Sequence, residues 1–111
     1  MSVLTQNTIL QRKLDDLINI AGTGDIEAFA KEFVPLDLPQ PEINEFVTQM
    51  KASPEQWVEL VEEIKVCATG VSKIEGDEET STVFYFTHPQ QPLCDREVEF
   101  TCVEGQWRAN A

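Results

Sequence analysis

The chain reads as a single α+β domain over residues 1–111, with three to four N-terminal helices packed on an antiparallel meander of about four strands. Three observations predict this. Over residues 1–64 apolar residues recur at three-and-four spacing, the mark of helices with one buried stripe. Over 65–111 they fall in alternating, strand-like runs broken by short turns. A chain of 111 residues, 41% apolar, is also long enough to bury one core without metal or disulfide staples.

The elements follow in order. Leu10, Leu14, Leu17, Ile18 and Ala21 form the buried stripe of a first helix over Thr5–Ala21. Gly22-Thr23-Gly24 ends it, because glycine accepts the left-handed backbone of a C-cap. A nucleotide-binding loop is excluded there, since a helix rather than a strand precedes it. Asp25 caps a second helix whose stripe is Ile26, Phe29, Ala30 and Phe33. Pro35, Pro39 and Pro41 then hold an extended connection with Leu36 and Leu38 as apolar footholds, and Pro41 occupies the first turn of a third helix. That helix buries Ile43, Phe46, Val47 and Met50.

Ser53-Pro54-Glu55-Gln56 reads as a capping box that opens a fourth helix. Trp57, Leu60, Val61 and Ile64 are its inner stripe, with Glu55, Glu59, Glu62 and Glu63 on its solvated outer face. Val66–Glu75 is expected as the first strand, bent at Gly70, followed by a turn at Gly76–Glu79. Thr80–His88 is the clearest strand, dense in β-branched and aromatic residues, and the prolines of Pro89–Pro92 end it. Leu93–Val103 returns antiparallel, with Val98, Phe100 and Cys102 inward and Glu97, Glu99 and Thr101 outward. Glu104-Gly105 turns into a last strand, Gln106–Asn110, anchored by Trp107.

Charge narrows the functional classes. Twenty acidic residues against eight basic give a net charge of −12, which argues against direct binding to nucleic acid or to an anionic membrane. The excess is uneven: residues 1–53 carry 8 acids and 4 bases, residues 54–111 carry 12 acids and 4 bases. A protein partner with a basic surface suits that distribution, and solubility alone is the competing explanation. Met1–Gln6 lacks a basic segment leading into an apolar one, so no signal peptide is expected. With no apolar run long enough to cross a bilayer, a cytoplasmic location is expected.

Cys67, Cys94 and Cys102 have neither disulfide nor zinc spacing, so no metal and no cofactor is expected. Cys94 and Cys102 are expected on one strand, where eight residues would place them about 26 Å apart, beyond disulfide reach. Cys94, beside a turn, is the candidate for an exposed thiol.

Gly24-Asp25-Ile26-Glu27-Ala28-Phe29 after a long first helix, the closing meander, and Glu104-Gly105-Gln106-Trp107-Arg108 at the end resemble the nuclear transport factor two-like (cystatin-like) superfamily. The resemblance covers nearly the whole chain. It departs at 35–52, where loop plus helix stands in place of the short strand or hairpin common in members. It implies a curved sheet wrapping the helices around an apolar pocket, on a scaffold shared by enzymes and binding proteins. Dimers that pair their sheets are common there.

The candidate site residues gather on one hairpin: Val83, Tyr85, His88, Cys94 and Arg96. With Phe84 and Phe86 inward, strand parity places His88 at the pocket end and turns Cys94 and Arg96 inward. Each also has a plainer role: His88 as a turn residue, Tyr85 as packing, and Arg96 as a partner for glutamates across the ladder. Val83 and Tyr85 on the opposite face need a cover, supplied by a homodimer or another protein.

No nucleophile-and-base arrangement is visible. The favoured reading is therefore a small acidic adaptor or regulatory module without catalytic activity. The alternative is a small-molecule-binding protein, or a cofactor-independent isomerase or cyclase. Its pocket would lie between sheet and helices, lined by Phe29, Phe33, Trp57, Phe84, Phe86 and Phe100. Those aromatics sit at core spacing, which favours a filled core.

Overall fold

The computed structural model describes residues 3–77, 79–87, 93 and 95–109. Four helices precede four strands: α1 (Thr8–Gly22), α2 (Ile26–Phe33), α3 (Gln40–Ala52), α4 (Pro54–Thr69), β1 (Lys73–Gly76), β2 (Ser81–Thr87), β3 (Asp95–Val103) and β4 (Gln106–Ala109). The strands form one antiparallel sheet in the order β1-β2-β3-β4, each paired with its neighbour in sequence. This is the α+β class expected.

Helix α1 begins three residues later than expected. Val3 pairs with Val71 through two backbone hydrogen bonds (2.8 and 2.9 Å), which holds the entering chain extended. The Asn7 side chain then caps the helix, accepting from the Ile9 and Leu10 amides at 2.9 and 3.1 Å. Gly24, at φ 78°, closes the connection to α2, and the Asp25 carboxylate accepts from the Ala28 amide as expected.

The fourth helix departs from expectation twice. It runs to Thr69, so Val66–Thr69 is helix and the change of pattern falls at Gly70 rather than at residue 65. Ile64, Cys67, Ala68 and Val71 continue the three-and-four spacing and are all buried, and the Gly70 φ of 142° ends the helix. The capping box does not form. Ser53 is the N-cap but makes no side-chain cap bond, and the Gln56 side chain accepts from the Gln49 amide group at 3.1 Å, linking α3 to α4.

One core lies between helices and sheet. Leu10, Leu14 and Leu17 of α1, Phe29 of α2 and Cys67 of α4 are fully enclosed with Phe84 and Phe100 of the sheet. The rings pack edge to face: Phe29 on Trp57 at 4.9 Å and Phe84 on Phe100 at 6.0 Å between centroids. Such pairs add about 0.5–1.5 kcal/mol each beyond the area they bury. The expected parity of β2 and β3 holds: Phe84, Phe86 and Phe100 are buried, with Thr82 beside them.

Two turns are set by backbone chemistry. Glu104 and Gly105 both take positive φ (52° and 78°), the two-residue turn whose twist matches an antiparallel hairpin. Gly76, at φ 103°, starts the β1–β2 turn, where a Cβ would collide with the Ser81 carbonyl oxygen. Asp77 organises that turn, accepting from the amides of Glu79, Thr80 and Ser81 at 2.8, 2.7 and 3.1 Å.

At the far edge of the sheet, Arg108 is 8% exposed and ties β4 to the end of α2. Its guanidinium donates to the Lys31 carbonyl, to the Val34 carbonyl at 3.4 Å, and to the Gln106 side chain at 2.6 Å. A positive group thus sits where helix α2 exposes its last carbonyls, the favourable end for a cation.

Candidate functional site

Of the candidate residues, Val83, Tyr85 and Arg96 are described, and Arg96 lies on the opposite face of the sheet from the other two. Val83 and Tyr85 lie on the sheet face away from the helices, half-buried, in cross-strand rows Glu75–Val83–Glu99 and Lys73–Tyr85–Glu97. The Tyr85 hydroxyl donates to Glu75 at 3.0 Å, which pushes its pKa up, and the Lys73 ammonium lies 5.7 Å from the ring centroid. This face is therefore mostly charged, with Val83 as its apolar member between two glutamates. His88 and Cys94 lie outside the described residues.

Arg96 turns toward the helices, as parity requires, and this changes its partner. Its cross-strand neighbour is Phe86, and its Nε donates to Glu63 of α4 at 3.0 Å instead of to a glutamate of the ladder. Glu63 is 7% exposed, so it does not belong to the solvated outer face of α4. A carboxylate placed between α4 and the sheet needs a positive partner, and Arg96 supplies one.

The aromatics expected to line a ligand cavity are mostly core. Phe29, Phe84 and Phe100 are fully buried in ring-on-ring contact; Trp57 lines a smaller hollow between α1 and α4, and Phe33 alone of the six reaches a cavity at the end of α2. That cavity is an open cleft of about 500 Å³ on the side of the domain where α2, α3, α4 and β3 meet. Its floor is apolar: Phe33 and Val34 at the end of α2, Leu38 in the connection, Phe46 of α3, Leu60 of α4, Val98 of β3 and Ala109 of β4. Its rim carries Glu42 and Glu45 on α3 and Glu63 on α4, the last paired with Arg96; Glu97 and Glu99 border it along β3 but belong to the outer-face rows, where the Glu99 carboxylate accepts from the Ser81 hydroxyl at 3.0 Å. No lysine or arginine lines it among the described residues.

At least five of the eight basic residues are in ion pairs, and one of these pairs, Arg96 with Glu63, stands at the cleft itself. Lys13, Lys51, Lys65 and Lys73 pair with Glu32, Glu27, Glu62 and Glu75, and Arg96 with Glu63. Glu42, Glu45 and Glu97 form no ion pair with a described residue. Glu42 and Glu45 leave the α3 side of the cleft negative beside an apolar surface, which suits a ligand that is apolar at its centre and cationic at one margin.

Sequence reasoning missed this site. The available signal was Glu42 and Glu45, three apart on α3, beside Leu38 and Phe46; Leu38 reads as a foothold of the connection and Phe46 as part of the α3 stripe, and the pattern gives the two acids no role. The reactive groups that are described give little to chemistry. The Cys67 thiol is buried, and desolvation with Glu63 nearby pushes its pKa far up, against thiolate formation. Among the described residues no three His, Cys, Asp or Glu side chains come together to hold a metal. No described helix is long and apolar enough to cross a membrane. No family model, curated protein or solved structure shows significant similarity to this chain.

Proposed function

We propose that this chain is an acidic protein-interaction module, an adaptor or regulatory protein without catalytic activity, that engages a basic partner through the α2–α3–β3 cleft. The observation that carries the reading is the apolar floor flanked by Glu42 and Glu45 of α3, with no basic residue among the described residues that line it. Apolar contact would supply most of the affinity, and the carboxylates orientation and speed of encounter. Membership of the nuclear transport factor two-like superfamily is part of the same proposal, supported by four helices followed by a meander; α3 in place of a hairpin is its departure.

The test is affinity capture with the tagged chain at about 0.05 M and about 0.5 M salt, beside a Glu42→Lys/Glu45→Lys variant. The expected result is a partner held at low salt, weakened at high salt and lost with the variant. A partner equally retained by the variant, or none at either salt, defeats the reading. A second reading rests on cleft size: about 500 Å³ falls within the roughly 300–1,000 Å³ range of small-molecule sites. An amphipathic organic cation is the ligand it would take, and mass spectrometry of the protein under native conditions tests for one.

A further inference from the structure

A second apolar surface lies on the other side of α4. Leu60 and Glu63 of that helix face the cleft, whereas Trp57, Val58 and Val61 face α1. With Ile18 and Ala21 of α1 they line a hollow of about 290 Å³, and Val58 carries the surface on into a neighbouring hollow of about 450 Å³ beside Pro54. Val58 is 48% exposed, and Trp57 is half-buried, its ring held edge to face with Phe29. One valine alone on a surface is ordinary, but five apolar side chains around a single groove are not.

Both walls of the groove are helices, whose backbone groups are bonded within each helix. An extended segment laid there would leave its own amides and carbonyls unpaired against apolar side chains. A helix brings its backbone already satisfied and packs its ridges between those of α1 and α4. Along α4, Pro54 to Lys65 spans about 17 Å, about three turns of such a helix. Charge decides its flank. Glu55, Glu59 and Glu62 follow one another at spacings of four and three along α4, past Val58. Glu55 and Glu59 form no ion pair with a described residue, and Lys65, the one basic residue among the described lining, is held by Glu62 at 3.7 Å.

We infer that the groove between α1 and α4 docks an amphipathic helix of a protein partner, its apolar stripe in the groove and its basic flank along Glu55, Glu59 and Glu62. This surface is separate from the cleft and goes beyond the function proposed above. A second copy of this chain suits it poorly, because a net charge of −12 on each copy would oppose the contact.

The probe is a lactam-bridged peptide of about 14 residues, since an unbridged helix of that length is marginal in water. Leucines at three-and-four spacing form its stripe and lysines one flank. One comparison peptide has the same composition without the stripe, and another has glutamate in place of lysine. Binding is followed by NMR of the full chain. The expected result is a shift of the Trp57 indole N–H and of the Ile18, Ala21, Val58 and Val61 signals, while Phe46 and Val98 of the cleft and the buried Trp107 stay unmoved. The stripeless peptide does not bind. The glutamate peptide binds about tenfold more weakly, the size of two or three lost surface ion pairs, and Glu55→Lys/Glu59→Lys reverses that preference. At Gly22 an added Cβ meets nothing within 4 Å, so Gly22→Leu keeps the fold while its side chain covers the hollow, and binding falls several-fold.

Equal binding of the stripeless peptide overturns the inference, since charge alone would then suffice. Binding untouched by both variants does the same. Shifts confined to Phe46 and Val98 overturn it in favour of the cleft. Groove shifts that grow with protein concentration in the absence of peptide overturn it in favour of self-association. If no peptide moves the groove signals, the groove is not a docking surface, and the cleft reading, tested by Glu42→Lys/Glu45→Lys, stands or falls separately.

Discussion

Replacing Arg108 by methionine tests how the cleft floor is held to the sheet. Methionine keeps most of the apolar stem and removes the guanidinium, so the Lys31 and Val34 carbonyls lose their donor. A buried acceptor left without a partner costs about 1–3 kcal/mol, and the lost cation at the helix end adds about 0.3–1 kcal/mol. Two effects oppose this: the Lys31 carbonyl is near enough to the surface to recruit water, and Arg108 Nε is buried without a hydrogen bond, so removing it relieves a desolvation penalty. The net expectation is a loss of about 2–3 kcal/mol from a total of about 5–15 kcal/mol. With an unfolding entropy of about 2.1 cal/mol/K per residue, that is a fall in Tm of roughly 9–13 °C. Circular dichroism melts and urea titration measure it, the m-value staying unchanged. Arg108→Lys should fall between, because one ammonium does not reproduce the planar fork. A shift for Arg108→Met below about 2 °C would refute the assignment of Arg108 as the clamp between α2 and β4.

Gly76→Ala should destabilise by about 2 kcal/mol or more in the same melts, since a positive φ and a collision with the Ser81 carbonyl act together; a neutral result would mean the turn relaxes freely. Asp77 is held well below the usual carboxylate range by the Thr80 side chain and by the amides of Thr80, Glu79 and Ser81. A depressed folded pKa contributes stability above the unfolded value near 4 that is lost as pH falls toward the folded value. The gap between the wild type and Asp77→Asn should therefore be constant from about pH 5 to 8 and shrink below about pH 4; a gap that widens in acid would reverse the assignment. A double-mutant cycle on Arg96→Ala and Glu63→Gln should show a coupling of about 0.5–1 kcal/mol, modest because Arg96 is half exposed; additive effects would mean the pair adds nothing.

Periodicity carried most of the architecture. The stripes of α1 and α2, the Asp25 cap, the parity of Phe84, Phe86 and Phe100, and the Glu104-Gly105 turn all depend on neighbours close in the chain, so spacing and turn chemistry reveal them. The end of α4 was legible too, in Ile64, Cys67, Ala68 and Val71, but Val66 and the alternating residues beyond it concealed the continuing helical period. The capping box failed for a reason outside its own sequence: Gln56 is engaged by Gln49 of the preceding helix.

The site was not legible, because no local rule brings its parts together. Glu42, Glu63 and Glu97 lie on three separate elements, and whether a glutamate faces solvent, an arginine or a cleft depends on what packs beside it. Parity alone turned Arg96 toward the helices, yet only the placement of α4 supplied Glu63. By itself the sequence determined the class of fold, the excess of negative charge and which residues form the core. The tertiary structure alone decided which helix supplies Arg96 with its carboxylate and where Glu42 and Glu45 come to flank one apolar floor. Both depend on distances between segments far apart in the chain.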